Sequence, residues 1–144
     1  MDSQGFDFND SVSVTQIKDI YNKLYNLNLE ETIQYHPFDL KDKSNKVVIE
    51  VKTRNLDYDE LKYATMTYNK LIKAKEYITR NYKVLFVFIL KNGDIYYYEY
   101  KGEDFKKHTG LRHGFQYSSN NQRDYFFISK FRLTKLEVIE ELDF

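Results

Sequence analysis

Seven consecutive apolar residues, Val84 to Leu90, form the longest apolar run of the chain, and they limit what it can fold into. A membrane-spanning helix needs about 20 such residues, so this run does not cross a bilayer. Its β-branched content and polar flanks read instead as a buried strand, Lys83–Leu90. Asn92-Gly93 follows, a strong signal for a tight hairpin, and Asp94–Tyr100 returns as the partner strand. Val47-Val48-Ile49-Glu50-Val51 is a further strand start, short, β-branched and bounded by polar residues.

Helical spacing surrounds these strands. Val14, Ile17, Ile20, Tyr21, Leu24 and Leu27 predict a first helix over about 13–27, with Ser13 and Gln16 as a capping pair. Residues 1–11 read as a loose leader. Glu31–Tyr35 and Phe38–Leu40 read as short extended stretches, and Lys41–Lys46 as a polar turn. Asp57 and Glu60 form a second capping pair. Leu61, Ala64, Tyr68, Leu71, Ile72 and Ile78 then predict one long helix to about Arg80. The stretch 108–124 has no periodicity and reads as a long loop of the kind that is often functional. Tyr125–Leu133 is expected as a last strand. Thr134 with Glu137 is expected to cap a short C-terminal helix carrying Leu136, Ile139 and Leu142. The expectation is one α/β domain over 1–144, a mixed central sheet flanked by helices.

A chain of 144 residues buries a core without staples. It has no cysteine, so disulfides, thiolate nucleophiles and zinc–thiolate sites are excluded, which fits a reducing compartment. Met1–Asp10 has neither a basic nor an apolar signal-peptide region, so an intracellular, non-secreted protein is expected. Basic and acidic residues balance at 22 each, which argues against a polybasic binder. Their placement is uneven. Residues 1–40 hold two basic and seven acidic residues, whereas 41–107 hold fifteen and ten, a mild basic bias suited to a polyanion.

The chemistry-bearing stretch is Pro37-Phe38-Asp39, then ten residues, then Glu50-Val51-Lys52. Strand alternation points Glu50 and Lys52 to one side, with Ile49 and Val51 turned into the core. A turn at Lys41–Lys46 folds Asp39 back antiparallel beside Glu50. Two carboxylates and the Val51 carbonyl would then hold one or two hard cations such as Mg²⁺. Such an ion activates a bound water and offsets charge on an attacked phosphate. Lys52 would contribute a point charge at that phosphate or orient the water. A Glu-x-Lys pair alone is usually a solvated strand edge; Asp39 at hairpin distance favours the functional reading.

These residues resemble the signature of the PD-(D/E)xK nuclease superfamily, and residues 13–100 are similar to its common core in element order. The resemblance implies a restriction-endonuclease-like αβββαβ core. It also implies metal ligation by Asp39 and Glu50 and a catalytic Lys52, with Mg²⁺ as cofactor and Mn²⁺ able to substitute. Asp39 departs from the pattern by following Pro-Phe rather than Pro. Many members add an acid from the first helix, for which Asp19 and Glu30 are the options here. Compact members include Holliday-junction resolvases and small restriction endonucleases, which usually act as dimers. The expectation is therefore a Mg²⁺-dependent DNA endonuclease of structure-directed type and a homodimer. Restriction-type cutting, RNA cleavage and an inactive nucleic-acid-binding module are the alternatives.

Candidate contacts to nucleic acid are Thr53 and Arg54 past the catalytic strand, Lys62, Lys70 and Lys73 on the second helix, and Arg112 and Arg123 in the long loop. His36 lies three residues before Asp39, and His108 and His113 lie in the loop; none has metal-ligand spacing with acids on a helix. Tyr96, Tyr97, Tyr98 and Tyr100 are expected to pack rather than stack on bases.

Overall fold

A computed structural model of the chain describes residues 3–111 and 122–137. Helix α1 (Ser3–Tyr25) is followed by three strands, β1 (Glu30–Glu31), β2 (Leu40–Asp42) and β3 (Val47–Thr53). Strand β4 (Tyr63–Thr67) runs directly into helix α2 (Tyr68–Thr79). Then come β5 (Lys83–Ile89), β6 (Ile95–Tyr100), β7 (His108–Leu111), β8 (Gln122–Ser129) and β9 (Thr134–Lys135). The larger sheet has the order β1-β2-β3-β5-β6-β9, and a second sheet has the order β4-β8-β7. Among the described strands only β3 and β5 pair in parallel, with β4 and α2 inside their connection. The fold is mixed α/β. Among the described residues no helix is long and apolar enough to cross a membrane.

Both faces of β3 and β5 are covered. Val47, Ile49, Val51, Leu85, Val87 and Ile89 pack with Ile17 and Tyr21 of α1. Val48, Val84, Phe86 and Phe88 pack on the opposite side with Leu71 and Ala74 of α2 and Met66 and Phe126 of the smaller sheet. This two-sided burial is what the uninterrupted Val84–Leu90 run requires. The hairpin at Asn92-Gly93 is present, with Gly93 at φ +93, a conformation that favours glycine.

Elsewhere the structure departs from the sequence expectations. The backbone of residues 3–11 belongs to α1, and Ser13 is a buried residue of the helix interior rather than its cap. Cap-forming residue types start a helix only where the preceding chain cannot continue it, and nothing upstream of Ser13 prevents that. Helix α1 ends at Tyr25, before Asn26 at φ +55. The long helix expected from Asp57 to Arg80 is three elements. Asp57 does cap, its amide donating to Glu60 Oε1 at 2.9 Å, but it caps a single 3₁₀ turn over 58–60. Tyr63–Thr67 is a strand with Ala64 and Met66 turned inward, registered against Tyr125–Ser129. That distant pairing overrides the local helical spacing.

The ends of the expected 108–124 loop are β7 and β8, paired from His108↔Tyr125 to Leu111↔Gln122; residues 112–121 lie outside the described residues. Strand β8 stops at Ser129, whose hydroxyl accepts from the Phe131 amide at 3.3 Å and opens a 3₁₀ turn. The expected C-terminal helix does not begin at Thr134. Thr134 and Lys135 pair with Tyr97 and Tyr96, and the Leu136 amide donates to the Ile95 carbonyl. Its remainder, 138–144, lies outside the described residues. The polar turn after β2 is shorter than Lys41–Lys46, because Lys41 and Asp42 belong to the strand.

Candidate active site

The site forms where β2 and β3 meet the first turn of α2. The antiparallel register Leu40↔Ile49, Lys41↔Val48, Asp42↔Val47 places Asp39 just outside β2, beside Glu50. The Asp39 amide donates to the Ile49 carbonyl at 3.1 Å. Its carboxylate Oδ2 accepts from the Val51 amide at 2.8 Å. A residue's N–H and C=O point to the same side of a strand. The Val51 carbonyl therefore faces the same open edge as Asp39, where β2 no longer covers β3.

Glu50 projects to the α2 side of the sheet and is 4 % exposed. It is not at a solvated strand end, because α2 and the smaller sheet cover that face. Lys52 Nζ lies 3.3 Å from Glu50 Oε2, and Lys70 Nζ lies 3.3 Å from Glu50 Oε1. Lys70 also donates to the Pro37 carbonyl and sits 5.4 Å from the centre of the Phe38 ring. Burial raises the Glu50 carboxyl from its ordinary 4.5 to about 7, and the Asp39 charge adds to the rise; Lys70 and Lys52 pull it back. Two acids, a strand carbonyl and two ammonium groups thus share one edge. Oxygen-only donors of this kind fit a hard divalent cation, which would take over the charge the two lysines now supply.

The other expected ligands are not gathered there. Asp19 is exposed on α1, which covers the opposite face of the sheet. Glu30 is exposed on β1, the outermost strand, opposite Lys41. Among the described residues no group of three or more His, Asp or Glu side chains is placed to hold a metal ion. The donor set is thus the pair Asp39 and Glu50.

Of the expected nucleic-acid contacts among the described residues, only Lys70 enters the site. Thr53 ends β3 half-buried. Arg54 is directed to the protein, with Nη1 on the Thr53 carbonyl at 2.9 Å and Nη2 on the Thr65 carbonyl at 2.6 Å. Lys62 is exposed next to β4 rather than on a helix, Lys73 lies 3.8 Å from Glu76, and Arg123 is exposed on β8. Arg112 and His113 lie outside the described residues. His108 stacks on Phe127 at 4.3 Å. Tyr98 and Tyr100 are buried, and Tyr96 stacks on Tyr58 at 4.6 Å, so this aromatic strand packs. The contact between Lys70 and Glu50 had no local signal, since it joins α2 to β3 only through the tertiary fold.

Protein-family models, curated proteins and solved structures yield no match to this chain.

Proposed function

We propose that the chain is a metal-dependent nuclease of the PD-(D/E)xK kind that hydrolyses DNA phosphodiester bonds. The observation that carries this reading is the placement of Asp39 beside Glu50 on adjoining strands, near enough for the Asp39 charge to act on the Glu50 carboxyl, with Lys52 3.3 Å from Glu50. Asp39, Glu50 and the Val51 carbonyl would hold Mg²⁺, which when bound acidifies a water and offsets charge on the phosphate. Asp39 is held in place by the Val51 amide and Glu50 by its two lysines, so both acids are oriented before any ligand arrives. Lys52 is half-exposed and free to turn from Glu50 toward a phosphate oxygen. There its charge stabilises the transition state as a water oxygen bonds to phosphorus and the leaving sugar oxygen takes up a proton. Structure-directed cutting relies on backbone contacts more than on base reading, which suits the mild basic bias of residues 41–107.

The test is a cleavage panel of duplex, branched and single-stranded DNA and RNA, with Mg²⁺ and with Mn²⁺. Cutting of DNA that requires the metal and disappears in Lys52→Ala is expected. No cutting of any substrate by wild-type protein overturns the reading. Preferential cutting of RNA would move it to the alternative substrate. Calorimetry adds a second readout: Mn²⁺ binding should be lost in Asp39→Ala.

A further inference from the structure

Beyond the carboxylates, toward the C-terminal end of α2, a second cluster joins β2 to α2. Lys41 lies two residues along from Asp39 and so faces the same side of the sheet. Its Nζ is 5.5 Å from the Tyr77 ring centre and 5.6 Å from that of Tyr82. The Arg80 guanidinium reaches the same two rings, at 4.7 and 5.4 Å. Tyr77 and Tyr82 meet edge to face with centres 5.0 Å apart, so one aromatic pair serves two cations. His36 closes the far side, with Nε2 3.0 Å from the Tyr77 hydroxyl. Its Nδ1 accepts from the Phe38 amide at 3.0 Å, which in the neutral ring leaves Nε2–H to donate to Tyr77.

What this cluster lacks is an anion. Among the described residues neither Lys41 nor Arg80 has a carboxylate partner, whereas Lys52, Lys70 and Lys73 each do. Glu30 stands opposite Lys41 in the register without coming within ion-pair distance. Burial holds the His36 imidazole below its ordinary value, the Phe38 carbonyl 3.1 Å from Nδ1 works the other way, and the charges of Lys41, Lys70 and Arg80 depress it further. Three cations therefore act on one small volume. Aromatic faces attract each cation but leave its charge in place. An anion bound between them would gain from all of these groups at once.

We propose that Lys41 and Arg80, backed by Tyr77 and Tyr82 and with His36 holding the Tyr77 hydroxyl, form a phosphate cradle for the backbone of the nucleic-acid strand leaving the Asp39–Glu50 edge. The identity of the ligand rests on the nuclease reading; the cradle itself rests on the unpartnered cations. The ten residues from Lys70 to Arg80, just past the end of α2, span about 15 Å, so the cradle grips a phosphate about two steps along the strand from the one at the carboxylates. Lys70 joins the two regions. None of these groups is placed to read a base, so the grip is blind to sequence.

The experiment is fluorescence anisotropy with labelled duplex and single-stranded DNA in EDTA, where cutting is absent, repeated over a salt series. The double variant Lys41→Gln/Arg80→Gln should bind at least about tenfold more weakly than wild type at low salt. Its log–log salt slope on duplex should be shallower by about 1, the loss of the one phosphate the two cations share. The charge-keeping double variant Lys41→Arg/Arg80→Lys should bind within about twofold of wild type, and matched melting curves establish that both variants fold. Inorganic phosphate at equal ionic strength should not compete; competition would make this a free-phosphate site and overturn the backbone assignment. Wild-type protein that binds no DNA, or a folded Gln variant with unchanged affinity and slope, overturns the cradle. If wild type still cuts DNA in that case, the nuclease reading stands. Binding lost in the Gln variant, with no cutting by wild type, would instead keep the cradle and overturn the nuclease reading.

Discussion

Asp42 and Glu50 sit on neighbouring strands and are 1 % and 4 % exposed, yet the fold treats their charges in opposite ways. Burial works against the Asp42 charge, but donors overcome it. The Asn45 side chain and amide, the Asn28 amide and the Ser44 hydroxyl all point at its oxygens, and its carboxyl falls to about 2. Among the described residues, Glu50 has no such shell of neutral donors. It faces another acid, is countered only by two flexible lysines, and its carboxyl rises to about 7. Asp42 is the hub of a turn, while Glu50 is a charge kept at a cost that a cation would relieve.

The strongest way to break this contrast is through cleavage. Lys52→Ala should lower the cleavage rate by on the order of 10²–10³, while Asp42→Asn, assayed where it is folded, should cut like wild type. Loss of cutting in both would dissolve the distinction. Asp42→Ala should instead cost about 2–4 kcal/mol in urea unfolding, since it leaves two backbone amides and an Asn side chain without their acceptor.

The pH dependence separates the two acids further. The folded Glu50 pKa lies above its unfolded value, so between about 4.5 and about 7 the folded state binds more protons than the unfolded state. Its contribution to stability is therefore lost as pH rises through that window, by up to about 3 kcal/mol. Glu50→Gln should flatten this fall in metal-free urea titrations and be the more stable protein at pH 8. Asp42 runs the other way: its contribution is present above its ordinary 3.8 and is lost as pH falls toward about 2. The smallest effect is expected for Lys70→Met. Removing one counter-charge should carry the Glu50-linked fall to higher pH and cost about 1 kcal/mol at pH 8.

How much of this could be read from the residues depended on how far apart the interacting partners lie in the chain. The β2–β3 hairpin is local. The strand alternation around Glu50 and the short turn after Asp42 therefore placed Asp39 beside Glu50 before any tertiary contact was considered. Strand β4 was not legible, because Tyr63–Thr67 is a strand only by virtue of a partner about sixty residues later. The same distance hid the burial of Glu50: the elements covering its face are α2, misread as part of a longer helix, and β8, half assigned to a loop. Lys70 was visible as a cation on a helix, but its contact with Glu50 was not. Lys41 and Arg80 carried no signal, since only the fold brings β2 against the end of α2.

The two-residue strands that close the larger sheet bear on how copies of this chain could meet. One side is β1, whose two residues, Glu30 and Glu31, are both exposed; the other is β9, equally short. A strand added alongside β1 would find only a brief ladder of backbone groups, and a second copy would set acid beside acid on each face of that ladder. Short and charged margins of this kind resist edge-to-edge association. Among the described residues, the margins of the sheet that carries the site thus offer little for a further strand to pair with.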